Sequence, residues 1–134
     1  MSPEELAEAA KKRLNETDRF CRHSKMELTV VKDGYAEAEM PIDTFCFNGL
    51  NTVQGGAMFT LADFAFAGAS NSGERRCVAM NATIHFLRPG TGARLKAVAE
   101  KVNAGKKTCL YEVSVFNDAE KLVAKVSISG FFLS

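Results

Sequence analysis

Asp63 is the only formally charged side chain between Val53 and Gly73, and its neighbours three and four positions away are Phe59, Thr60, Phe66 and Ala67. A carboxylate in such company loses water and has no local cation, so its pKa tends upward, which suits a general base or a nucleophile. The competing interpretation is a structural aspartate paired with an arginine from another strand, because ion pairs also perturb titration. Upstream stands Gln54-Gly55-Gly56. Two glycines at a helix start leave its first amides unshielded, and the helix dipole adds positive potential there, so an oxyanion can be held. The same glycines would also serve a tight turn or close packing. Asn48, in the preceding segment, carries an amide able to orient water or substrate, or to stabilise a turn.

Geometry restricts how these parts cooperate. Gly56 and Asp63 share one helix, and seven residues at about 1.5 Å each place them about 10 Å apart along its axis. A polarised carbonyl needs its attacking oxygen within about 3 to 3.5 Å. The acid and the amide must therefore come from different helices, which a two-fold dimer with antiparallel central helices supplies.

The element carrying Asp63 is legible. Gly55-Gly56 opens a run from Ala57 to Ser70 that is apolar on every side and ends in Asn71-Ser72-Gly73. Such a helix is buried all round. Before it, Ser2-Pro3-Glu4-Glu5 predicts a capped, short amphipathic N-terminal helix with a Leu6, Ala10, Leu14 stripe. Alternation over Met26–Val30 and Tyr35–Met40 around Asp33-Gly34 predicts a hairpin. Pro41 to Asn51 reads as a loop, and His23 falls in an irregular polar stretch.

After the helix, alternation over Cys77–Leu87, Ala93–Val102, Thr108–Phe116 and Leu122–Leu133 predicts four strands. The order is αββαββββ. Short connections predict that the last four strands form an antiparallel meander, with the apolar helix filling the concave face of the sheet. One sheet shields one side of a helix, so a second copy of the chain is expected to cover the rest, with a higher assembly possible from half-apolar strand faces.

At 134 residues the chain suits one domain, 1–134, and its 46% hydrophobic and 25% charged residues describe a foldable globular composition. A net charge of +1 without a long basic run leaves no field for a nucleic-acid backbone. The first fifteen residues lack the apolar core of a signal peptide, and no window is long and apolar enough to span a membrane, so a soluble, cytoplasmic protein is expected. Cys21, Cys46, Cys77 and Cys109 are widely spaced and the histidines number two, so free thiols are expected and no metal is implied.

The element order and the string from Asn48 to Asp63, NGLNTVQGGAMFTLAD, resemble a hotdog-fold acyl-CoA thioesterase of the PaaI-type group from phenylacetate degradation. The resemblance runs from about Met26 to Phe132 and includes Phe86-Leu87-Arg88-Pro89-Gly90. The family pattern of an Asn, then His-Gly-Gly, then an acid is matched by Asn48, Gly55, Gly56 and Asp63, whereas Gln54 stands where the family has histidine.

The resemblance implies an α+β hotdog, an antiparallel sheet around one long central helix. It implies hydrolysis of an acyl-CoA to a carboxylic acid and free CoA, with coenzyme A as part of the substrate and no separate cofactor. Asp63 would be base or nucleophile, Gly55 N–H would polarise the thioester carbonyl, and Asn48 would place water or the acyl group. Gln54 can donate a hydrogen bond but cannot shuttle a proton near neutral pH. Gly56, Asn81 and Arg88 are the expected substrate contacts, Arg88 for the phosphates of CoA. The family is usually a dimer of dimers. The rival function is a non-catalytic acyl-CoA-binding or regulatory module on the same fold, for which Gln54 argues and against which Asp63 argues. A hydratase would need an acid and base pair, which the lone Asp63 does not supply.

Overall fold

The computed structural model describes residues 1–133. The capping signal at the N-terminus acts as read: Ser2 Oγ accepts from Glu5 N at 3.1 Å, and Ser2 N donates to Glu5 Oε1 at 3.0 Å. Helix α1 follows over Pro3–Thr17 and buries Ala7 and Ala10. Asp18 then caps a second helix, α2, Arg19–His23, by accepting from Cys21 N at 3.1 Å. His23 therefore closes a helical turn where an irregular stretch was expected. Five residues are too few to show a helical period, so Asp18 was the only available signal.

Strands β1 (Glu27–Lys32) and β2 (Tyr35–Pro41) form the expected hairpin, with Gly34 at φ +71° in its turn. Helix α3 spans Gly55–Ser70. Its end is pinned: Asn71 Nδ2 donates to Ala67 O at 2.9 Å while Asn71 Oδ1 accepts from Cys77 N at 2.9 Å. Strands β3 (Arg76–Phe86), β4 (Arg94–Ala104), β5 (Thr108–Asn117) and β6 (Leu122–Leu133) complete one antiparallel sheet. This is the hotdog architecture, with α3 on the inner face against Ala36, Ala38, Ala97, Val113 and Val126.

The strand order β1-β2-β4-β5-β6-β3 corrects the expected meander. Only β4, β5 and β6 follow one another; β3 pairs with β6 and forms an edge. The connection from Leu87 to Ala93 can reach about 23 Å when extended, whereas three strand spacings from β3 to β4 need about 14 Å. A short connection is thus long enough to cross the end of the sheet, and proximity in sequence did not dictate pairing. Leu87 N and Arg88 N anchor this crossing by donating to Val123 O at 2.9 and 3.3 Å.

Helix α3 is covered by more than the sheet. The N-terminal helices α1 and α2 also pack on it, leaving a half-exposed stripe that includes Phe59, Thr60, Asp63 and Ala67. All four cysteines are free and buried. Among the described residues no helix is long and apolar enough to cross a membrane, and no cluster of three or more His, Cys, Asp or Glu could hold a metal ion.

Candidate active site

The start of α3 is set by the loop before it. Phe47 and Val53 form an isolated antiparallel bridge, and Gln54 N donates to Cys46 O at 2.7 Å, so the chain doubles back before entering the helix. Asn48 holds the tip of this loop. Its Oδ1 accepts from Leu50 N at 2.9 Å and Thr52 N at 3.2 Å, while Nδ2 donates to Thr52 Oγ1 at 3.0 Å. Within one chain Asn48 is therefore a turn residue that fixes the entry to α3, the plainer of its two expected roles.

Gln54 is the N-cap residue, yet its side chain makes no capping bond. Its carbonyl accepts from Ala57 N at 2.9 Å and Met58 N at 3.3 Å. The amides of Gly55 and Gly56 have no acceptor among the described residues, which leaves two free donors at the positive end of a four-turn helix. Gly55 is a close-approach position: a Cβ there would stand 3.0 Å from Phe86 Cζ. The end of β3 thus abuts the start of α3, and Arg88 reaches the same groove as Asn48 and Gly55, with a volume of about 340 Å³. Among the described residues Arg88 has no carboxylate within ion-pair distance.

Gly56 opens on the other side, into a groove of about 460 Å³ shared with Gln54 and Thr60. Asp63 lies one turn beyond Thr60 on the same face of α3, because seven residues return a helix almost to its starting azimuth. Its carboxylate is half-buried and makes no hydrogen bond or ion pair among the described residues. Burial, and then the negative charge of Asp18, push it above the usual aspartate range. Cys21 lies in the same region, and burial, Asp18 and Asp63 together push its thiol up, so it is no competing nucleophile. The interpretation of Asp63 as half of an arginine pair therefore finds no partner among the described residues.

Asn81 is not brought to this region. It pairs with Ser129 in the β3–β6 ladder, next to the buried Ile128, and so faces away from α3 on the far side of the sheet. A third groove, of about 440 Å³, also lies on that far side between Tyr35 and Phe116. Four of its charges are paired there, Arg94 with Glu39 at 3.2 Å and Lys96 with Glu37 at 3.1 Å, and Asp118 accepts from Ala93 N at 3.0 Å at its rim. Sequence reading missed Phe20 and Met26, which line the groove beside Gly56. It also missed that the Phe86 ring closes over Gly55, for which the sequence carries no local signal.

Known proteins resemble the chain in sequence and in fold. Residues 50–124 match the family model described as the thioesterase superfamily. The acyl-coenzyme A thioesterase PaaI of Escherichia coli is 36% identical over 110 residues, covering 81% of this chain and 79% of that protein. A putative esterase of Archaeoglobus fulgidus is 35% identical over 121 residues, covering 90% and 79%. The solved structure of the E. coli PaaI protein from the phenylacetic acid degradation operon superposes with a TM-score of 0.95 at 30% identity, covering 99% of this chain and 97% of that one. The chain belongs to the thioesterase superfamily, as a PaaI-type hotdog thioesterase.

Proposed function

We propose that the protein hydrolyses an acyl-CoA thioester to a carboxylic acid and free CoA, at a site shared between two copies of the chain. The observation that carries this is the pairing on one helix of two free amides, Gly55 and Gly56, with an unpaired, desolvated Asp63 too far along the axis to meet them. Each half lacks its complement within one chain. A two-fold partner supplies both.

The edge strand β3 supports that assembly. It presents eleven residues with no neighbour on one side, and Val78, Met80 and Phe86 are 47, 56 and 54% exposed. A long, apolar, unpaired edge is a template for another strand. Antiparallel pairing of two β3 strands about an axis perpendicular to the sheet continues the sheet and sets the two α3 helices side by side, running in opposite directions. The start of each helix then approaches the middle of the other. Pairing of two such dimers through the remaining half-exposed surfaces gives the dimer of dimers.

In the composite site the thioester oxygen lies against Gly55 N–H, and the partner copy's carboxylate faces the carbonyl carbon. As base, that carboxylate takes a proton from water as the oxygen attacks; as nucleophile, it attacks directly and forms an anhydride that water opens. In both routes the tetrahedral intermediate expels the CoA thiolate, which takes up a proton. Asn48 acts by holding the loop that aims the amides. Gln54 takes no proton in either route. Asn81, on the far face, contacts substrate only by way of a neighbouring copy.

Thiol release from a panel of acyl-CoAs, with Asp63→Ala as control, tests the function. Release that requires Asp63 supports it; tight acyl-CoA binding without release turns the protein into the binding module instead. Single turnover in oxygen-18 water separates the two routes, because only the anhydride route places label on Asp63.

A further inference from the structure

The two grooves that flank the start of α3 differ in charge. No charged residue lines the one beside Gly56, whose walls include Phe20, Met26, Met40, Phe45 and Phe47. The one beside Gly55 contains Arg88 and no carboxylate. A thioester held by its carbonyl oxygen at these amides must send its two arms apart, since the carbonyl carbon is trigonal. One arm is an apolar acyl group; the other ends in the phosphates of CoA. Charge complementarity then fixes which arm goes where.

Resting on the hydrolase reading above, we infer that the acyl group occupies the uncharged groove of Phe20 and Phe45 while the CoA arm runs past Arg88, so that α2 is the element that sets acyl specificity. The groove's volume of about 460 Å³ falls in the range of about 300 to 1,000 Å³ found for small-molecule sites. Phe20 is 66% exposed although Cys21 beside it is buried, which leaves a large apolar side chain in water at the mouth of an apolar groove. Covering it with an acyl group removes that surface from water on both sides. Phe45, 43% exposed, stands at the same mouth with Lys25 Nζ 4.7 Å from its ring centroid, a cation–π contact that holds the ring in place.

The test measures kcat/KM for acetyl, hexanoyl and benzoyl thioesters, each as the CoA and as the pantetheine derivative that lacks the nucleotide phosphates. Phe20→Ala is expected to lower kcat/KM for hexanoyl and benzoyl by about tenfold relative to acetyl, with the CoA-to-pantetheine ratio unchanged; Phe20→Trp shifts the order among acyl groups. Arg88→Ala is expected to lower the CoA-to-pantetheine ratio by about tenfold, with the acyl order unchanged. Both positions are exposed, so the variants fold. The inference is overturned if Arg88→Ala reorders the acyl groups, or if the Phe20 variants leave that order untouched. Failure of the hydrolase reading looks different, as no thiol release by the unsubstituted protein from any member of the series.

Discussion

Replacing Gly55 by alanine separates the chemistry of the helix start from its stability. The new Cβ would lie 3.0 Å from Phe86 Cζ and 3.1 Å from Cε1, closer than carbon contacts tolerate, so the ring must move. It is able to, since Phe86 is 54% exposed. Displacing it costs about 0.5 to 1.5 kcal/mol if a side-chain torsion leaves its well, while alanine gains up to about 1 kcal/mol over glycine in a helix. The two nearly cancel, so Tm is expected to stay within about 5 °C of the parent.

Activity does not share that cancellation. The displaced ring enters the groove of Asn48 and Arg88 where the thioester must lie, and the Gly55 amide loses its approach. Losing one oxyanion donor costs about 10² to 10³ in kcat, or about 2.7 to 4 kcal/mol. The neighbouring Gly56→Ala provides the contrast, because its Cβ would meet only Gln54 Cγ at an ordinary 3.8 Å. That variant is expected to keep its stability and to retain kcat/KM within about tenfold. Thiol-release kinetics and a thermal melt of both variants decide the matter. Equal losses at the two positions, or a Gly55→Ala enzyme with a third or more of parental kcat/KM, would refute the reasoning.

Asp63→Asn should abolish thiol release yet raise stability near neutral pH. The folded-state pKa of Asp63 lies above its unfolded value through burial and Asp18, so the parent is most favoured when the group is protonated and loses that advantage as pH rises through the folded pKa. Melts at about pH 7 should show the asparagine variant above the parent, with the gap closing towards about pH 3; a gap that widens in acid contradicts the assignment. The acid limb of the pH–rate profile should accordingly lie above the ordinary aspartate range, and a limb within that range would contradict it. In the core, Gly130→Ala places a Cβ 2.6 Å from Cys77 Sγ and 2.8 Å from Phe66 Cζ, both buried. Such overpacking costs about 1 to 3 kcal/mol, read as a lower urea midpoint, and a neutral effect would show that the two thiols flanking Gly130 can give way.

The parts of the fold legible in the sequence were those written in short-range chemistry. Ser2, Pro3 and Glu5 announced α1, and the uninterrupted apolar run after Gly55-Gly56 announced α3 and made Asp63 conspicuous. What depended on long-range closure was not legible. The placement of β3 beside β6 rests on the reach of the Leu87–Ala93 crossing, and nothing in the alternation of β3 distinguishes an edge strand from an inner one. The site divides the same way. Gly55 could be suspected as a bare amide, but the ring that an alanine there would have to displace comes from Phe86, more than thirty positions later. Asn81 shows the converse: it was expected as a substrate contact, and strand register places it on the far face.

The shared site is tested most directly by mixing two inactive chains, one carrying Asp63→Asn and one carrying Gly55→Ala, after unfolding and joint refolding. Each mixed dimer then holds one intact pairing of Gly55 with the partner copy's Asp63. Random assortment makes half of the dimers mixed, so activity should recover to about a quarter of the parental value. If both groups served a reaction within one chain, every chain in the mixture would carry a lesion, and no activity above that of the separate variants would return.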